Sequence, residues 1–317
     1  MKNKSLTQIL KRVSLLVLGL VLVGCSTGGD EDGGTDADET LQVVSSFSIL
    51  TDIVEEIGGE HVDVHNLVPI GTDPHEYEPL PEDIKAATDA DILFYNGLNL
   101  EGGDTGWFSK LTESADADAS DIYEASAGVD PMYLQDEKGN EEVNPHAFLS
   151  PKVGIIMAEN VRDAFIEVLP EHEDEFKENA ENYLADLEEI DADYTQKIGD
   201  IPEEDRVFIA SEQAFQYMTD EYDLTEGYIW AIDTDEDGTP EQIQNAIKFV
   251  EENEPNVLFV ESNVDTRPME TVSDETGVEI YDKPILSDEV GEKGEEGDTY
   301  AKYLEYNLEV IVDGLTK

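Results

Sequence analysis

Residues 171–198 contain neither proline nor glycine, in a chain that carries 24 glycines and 13 prolines. Phe176, Tyr183, Leu184, Leu187, Ile190 and Tyr194 recur through that segment at helical spacing and make one apolar stripe. The segment predicts a single long helix, with the remaining elements built on either side of it. Four short apolar runs precede it, at 41–47, 62–68, 92–96 and, more weakly, 121–124. Four follow it, at 206–211, 228–232, 257–261 and 278–282. Helical patterns at 49–57, 81–88, 240–252 and 269–276 fall between these runs. Strands alternating with helices build βα units and mostly parallel sheets. The expected fold is α/β: two lobes, each a roughly four-stranded, mostly parallel sheet flanked by helices, joined by one long rigid helix. The boundaries read as an N-terminal lobe at 41–170, a linking helix at 171–200 and a C-terminal lobe at 201–317. A stiff helical link restricts hinge motion in a way a glycine-rich linker does not.

Charge excludes some roles. The 317 residues hold 77 acidic against 18 basic side chains, a formal net charge of -59. Such a field repels nucleic acid and anionic lipid headgroups, so no nucleic-acid partner is expected. It attracts cations without selecting one, and most of these carboxylates read as a solvated surface suited to high salt or high pH. The first residues stand apart from the fold. Lys2, Lys4, Lys11 and Arg12 form a basic start, and the apolar run at 13–23 is short for a membrane span. Residues 1–24 therefore have the build of a signal peptide. Leu22-Val23-Gly24-Cys25 resembles a bacterial lipobox, which implies acylation of Cys25 after cleavage. Cys25 is the one cysteine, so no internal disulfide can form. Residues 25–40 are rich in glycine, aspartate and glutamate and read as a flexible acidic tether. An extracytoplasmic protein, lipid-anchored to the outer face of the cell membrane, is expected.

In open α/β sheets, ligands bind beyond the carboxyl ends of strands. His75 follows the 62–68 strand through a proline-rich turn, and Glu212 directly follows the 206–211 strand. Asp288 lies shortly after the 278–282 strand, and His146 sits just ahead of a helix beginning near Pro151. Two imidazoles and two carboxylates drawn from both halves suit a divalent first-row metal. A loop histidine is more often hydrogen-bonded or exposed, however, and carboxylates are common in so acidic a chain. Prolines beside His75 and His146 stiffen the backbone that carries them. The residues alone leave both readings open.

The stretches VPIGTDPHEYEPLPEDI, LFYNGLNLE, NPHAFLSP, SEQAF, FVESNVDTRPMETVS and EEGDTY closely resemble the manganese/zinc solute-binding lipoproteins of ABC importers. The nearest group is the manganese-type, adhesin-associated lipoproteins of Gram-positive bacteria, and the likeness runs from about Leu41 to Leu315. The resemblance implies two lobes joined by a long helix, with one metal ion held between them. It implies His75, His146, Glu212 and Asp288 as ligands, with Glu289 adjoining the last. Phe148 stands where the family often has tryptophan. Zinc-type relatives commonly have a third histidine at the position of Glu212 and a His-rich loop, whereas residues 114–144 here contain no histidine. Two imidazoles with two carboxylates favour Mn2+, with Zn2+ or Fe2+ as alternatives. The implied partner is a cognate ABC permease, and the expected state is a monomer with no enzymatic activity. A metallohydrolase and a surface adhesin are the readings from other classes.

Other signals carry less. DTDEDG at 233–238 imitates the start of an EF-hand loop, but its twelfth position is Gln244 and Pro240 interrupts it. Thr239, Pro240 and Gln242 read instead as a helix start. His61, Asp63 and His65 alternate with Val62 and Val64, which predicts a solvated strand face. His172 is expected to be exposed at the start of the linking helix.

Overall fold

The computed structural model describes residues 40–135, 139, 141–231 and 238–317. The signal segment, Cys25 and all of the acidic tether but Thr40 lie outside the described residues, as does the acidic run before Gly238.

The N-terminal lobe opens with β1 (Leu41–Ser45), α1 (Ser48–Gly58) and β2 (Val62–Asn66). It continues with α2 (Pro81–Asp89), β3 (Ile92–Tyr95), α3 (Trp107–Ala115) and β4 (Ile122–Glu124). The four strands are parallel in the order β2-β1-β3-β4. Val43, Val44, Ile92, Leu93 and Phe94 are buried, as befits strands covered by helices. Pro81 takes the first position of α2, and the Asp83 carboxylate accepts the Leu80 N–H at 2.7 Å. That bond satisfies one of the N–H groups a helix start leaves unpaired. A short antiparallel hairpin follows, β5 (Tyr133–Gln135) with β6 (Glu141–Val143), and then α4 (Pro151–Val168).

The long segment forms α5 (Glu173–Gly199), a helix of 27 residues. Phe176, Ala180, Tyr183, Leu187, Ile190, Tyr194 and Ile198 are its buried face, while Leu184 lies at the edge of the stripe. α5 packs against α4 and α1 of the N-terminal lobe, and also against α9 (Tyr300–Leu315), the last helix of the chain. The Phe165 and Phe176 rings stack at 5.2 Å, and the Tyr194 hydroxyl donates to the Leu304 carbonyl at 2.8 Å. The apolar core is continuous from the first sheet through α5 into Phe208, Phe259, Tyr300 and Tyr303 of the second lobe. A separate apolar cluster, including Trp230, Leu258 and Met269, lies under the outer helices of that lobe.

The C-terminal lobe holds β7 (Val207–Ile209), α6 (Gln216–Glu221), β8 (Thr225–Gly227), α7 (Pro240–Asn253), α8 (Arg267–Thr276) and α9. Thr239 caps α7 reciprocally: its hydroxyl accepts the Gln242 N–H, and Gln242 accepts the Thr239 N–H. Four regular strands were expected here, and among the described residues two form. β7 and β8 pair in parallel, so the strand expected at 228–232 lies earlier in the chain, leaving Trp230 a single bridge to Glu212. The third and fourth segments stay extended but are joined by isolated bridges, Leu258 to Ile280 and Glu261 to Ile285. The third advances from 258 to 261 while the fourth advances from 280 to 285, so two extra residues bulge out. Pro284 lies in that bulge and has no N–H to give a ladder. The Phe259 N–H donates to Ile209 O at 2.9 Å and Ile285 N–H to Val260 O at 3.0 Å. The spatial order is thus second, first, third, fourth, as in the N-terminal lobe.

The lobes meet closely. The Tyr300 hydroxyl donates to Phe148 O at 2.6 Å and its N–H to the Asp52 carboxylate at 2.8 Å. Gly154 of α4 leaves room for this tyrosine, since a Cβ there would stand 2.5 Å from the Tyr300 hydroxyl oxygen.

Candidate metal centre

Two of the four candidate ligands share a local motif. Asp73-Pro74-His75 and Asn144-Pro145-His146 both place a short polar side chain two residues ahead of a histidine. In each the side-chain oxygen accepts the histidine N–H, at 2.7 Å from Asp73 and 3.0 Å from Asn144. These are Asx turns, which with the intervening proline set the backbone that carries the imidazole. The Trp107 indole N–H donates to Pro74 O at 2.7 Å and ties the first loop to α3.

His146 is 1% exposed. Its Nδ1 lies 2.8 Å from Asn144 Oδ1, which only accepts, so in the neutral imidazole Nδ1 carries the proton and Nε2 keeps the lone pair. The Asn144 amide donates to Gln213 O at 3.0 Å and to Gln216 Oε1 at 3.2 Å, so its orientation is set by the C-terminal lobe. The bare Nε2 of His146 faces three other donor atoms. His75 Nε2 stands at 3.2 Å, Asp288 Oδ1 at 3.3 Å and Glu212 Oε1 at 3.8 Å. Metal–ligand bonds of about 2.0–2.2 Å put tetrahedral donors roughly 3.3–3.6 Å apart. His75, His146 and Glu212 thus bring one donor atom each within 4.8 Å of one another, and Asp288 Oδ1 joins them beside His146.

The carboxylates are held from behind. Glu212 follows β7, and its N–H donates to Glu261 Oε1 at 2.9 Å. Glu261 also accepts the Ser211 N–H, at 3.0 Å, so one buried carboxylate fixes the backbone leading into Glu212. Burial raises the Glu261 carboxyl above its ordinary range despite these bonds. Asp288 Oδ2 accepts from the Asn263 amide at 2.9 Å, leaving Oδ1 buried with no hydrogen-bond partner. A buried oxygen left in that condition costs free energy unless a cation or proton meets it. Burial pushes the Asp288 carboxyl up, while His146 and His75, when protonated, together with the Asn263 amide outweigh it and hold it below the usual carboxylate range. Glu289 instead accepts the Gly71 N–H across the lobes.

Asn144, Asn263 and Glu261 were not singled out from the sequence. The repeated Asx-Pro-His signature offered a way to find Asn144. Asn263 and Glu261 had no local signal, because their partners lie far away in the chain. Of the remaining three histidines, His61 and His172 depart from expectation, while His65 lies on the half-exposed strand face as expected. His61 is not on the strand; it ends a 3-10 turn, Gly59–His61, and is 7% exposed. The backbone turns at Gly59 (φ 55°), so the alternation along β2 does not reach His61. His172 is not fully exposed either, with a side chain 14% accessible, packed on the His61 ring. His65 bonds to Asp83 at 2.8 Å.

Two α/β lobes facing one another across a half-buried His75 and the buried His146, Glu212 and Asp288 have the build of a bilobed metal-binding protein. Residues 43–314 match the family model described as ZnuA, zinc-uptake complex component A, periplasmic, and the chain belongs to that family. It is 42% identical over 301 residues to the manganese ABC transporter substrate-binding lipoprotein PsaA of Streptococcus mitis, covering 94% of this chain and 96% of that one. It is 41% identical over 315 residues to the iron ABC transporter substrate-binding lipoprotein MtsA of Streptococcus pyogenes, covering 97% and 99%. The Mn-bound periplasmic metal-binding protein of Candidatus Liberibacter asiaticus superposes with a TM-score of 0.76 at 27% identity, covering 86% of this chain and 98% of that one.

Proposed function

We propose that this protein captures a divalent transition metal, Mn2+ first among them, outside the cytoplasm and delivers it to an ABC permease. His75, His146, Glu212 and Asp288 hold the ion, and Cys25 carries the lipid that anchors the chain to the membrane. The observation that carries this reading is the buried Oδ1 of Asp288, without a hydrogen-bond partner, 3.3 Å from the bare Nε2 of His146. Two nitrogens and two oxygens make a harder set than one built on three imidazoles, which favours Mn2+ and Fe2+ over softer competitors. The names of relatives on this pattern support both: PsaA is called a manganese lipoprotein and MtsA an iron lipoprotein. Intrinsic affinity rises from manganese toward zinc and copper, so Zn2+ is expected to bind the isolated protein as well. The reading is of a carrier: the four groups are spent on the ion, and the ion is cargo.

Metal analysis of protein purified without chelator is expected to find about one ion per chain. That binding should be lost in His75→Ala and in Glu212→Ala. Undiminished binding in both variants would show the assigned centre to be wrong. Competition among Mn2+, Fe2+ and Zn2+, paired with uptake by cells lacking the gene, separates the physiological ion from those that bind only in vitro.

A further inference from the structure

His61 and His172 meet at a second place, within the N-terminal lobe and away from the interlobe centre. His61 closes the turn between α1 and β2, His172 closes the Pro170–His172 turn, and Glu175 sits in the first turn of α5. The two imidazole rings stack with centroids 3.9 Å apart and planes inclined by 31°. Glu175 reaches both: its Oε2 is 2.6 Å from His61 Nε2 and its Oε1 is 3.5 Å from His172 Nδ1. One donor atom from each residue lies within 4.8 Å of the other two. Beside them is a cavity of about 370 Å3, which Glu60, Glu178 and Asn179 also line. The chain has five histidines against 77 acidic residues, and four of the five fall in just these two clusters.

An ordinary histidine–carboxylate pair needs one imidazole, and a second ring stacked on the first adds nothing to it. Two imidazolium rings at this distance would repel one another. Two neutral imidazoles and a carboxylate around a divalent cation satisfy all three groups at once.

We propose that His61, His172 and Glu175 form a second metal site, for an imidazole-preferring divalent ion such as Zn2+. Bonds of about 2.0–2.1 Å require donors about 3.4 Å apart, so the His61–Glu175 contact opens on binding. Glu175 has the freedom to do this, with a side chain 56% exposed against 7% for His61. Water completes the coordination, as in other sites with three protein ligands. With two nitrogens to one carboxylate, this site is softer than the interlobe centre and takes Zn2+ in preference to Mn2+. The ion fastens the turn after α1 to the first turn of the helix that joins the lobes. The site does not depend on the interlobe assignment.

The test uses the full mature chain carrying His75→Ala and Glu212→Ala, which disables the interlobe centre. Equilibrium dialysis against Zn2+ is expected to retain one ion per chain. Adding Glu175→Gln or His172→Gln should weaken that retention at least tenfold. Both side chains lie at the surface end of the cluster, and buried His61 is left in place, so folding is preserved. A second readout is the melting temperature, which Zn2+ should raise in the parent and leave unchanged after Glu175→Gln. No retained Zn2+ in the parent would overturn the proposal. So would retention that both added substitutions leave intact, since the ions would then be scattered over the acidic surface.

Discussion

The two lobes run the same strand order, yet they present their candidate ligands differently. The N-terminal lobe completes a regular four-stranded sheet and offers nitrogen from loops, His75 and His146, each set by an Asx-Pro turn. The C-terminal lobe has a broken sheet and offers oxygen from the ends of its extended segments, Glu212 after β7 and Asp288 after the bulge containing Pro284. The difference follows from the ligands. An imidazole must be presented in one tautomer and one ring orientation, so it needs a rigid turn and a partner on its far nitrogen. A carboxylate needs only one oxygen held from behind, which Asn263 supplies for Asp288. On the oxygen side the segment stays irregular, and Asp288 follows three residues after its last bridge, at Ile285.

The harshest way to break this division is to remove a donor. His146→Ala is expected to weaken Mn2+ binding by more than ~100-fold by calorimetry, beyond the 10–100-fold typical of outer-shell partners. Next in size is a cut to the helix both lobes share. Leu187 is fully buried on α5, and Leu187→Ala should cost about 2–5 kcal/mol in urea unfolding. The contrast in presentation is sharpened by a pair of smaller changes. Asn144→Ala should lower affinity by ~10–100-fold, and Asn263→Ala by less, because only the first releases a tautomer. Equal losses would mean that the two sides are held in the same way. Converting an oxygen donor to nitrogen, Glu212→His, should raise the ratio of Zn2+ to Mn2+ affinity roughly tenfold.

A separate effect concerns pH. Glu101 is buried in the N-terminal lobe, accepting the Asn96 N–H at 2.7 Å, and burial raises its carboxyl from 4.5 to about 7. A carboxyl raised on folding stabilises the protein fully below its unfolded value, and that contribution is lost as pH climbs through about 7. Urea melts should thus show stability falling between pH 4.5 and 7 by on the order of 2 kcal/mol from this group. Glu101→Gln should flatten that slope.

Periodicity made the long helix legible, since a stripe at helical spacing with no proline or glycine has one regular solution. The strands of the N-terminal lobe were legible for a similar reason: short β-branched and aromatic runs between helical patterns. The broken sheet of the C-terminal lobe was not, because its apolar runs look the same whether or not the ladder closes. Thr239-Pro240-Glu241-Gln242 could be read as a helix start because capping is local, within one turn. His61 could not be placed, because its burial depends on Phe176 and His172, which arrive from α5 and the turn before it.

The sequence by itself determined the α/β alternation and the joining helix, because each is encoded in spacing, and it nominated His75, His146, Glu212 and Asp288 as candidates without choosing between a metal site and ordinary polar residues. Tertiary structure alone decided that Asn144 turns His146 toward the centre, that Glu261 fixes the approach to Glu212, and that Asp288 keeps an oxygen unpaired. Those outcomes rest on hydrogen bonds between groups far apart in the chain, whose geometry exists only once both lobes have packed against α5.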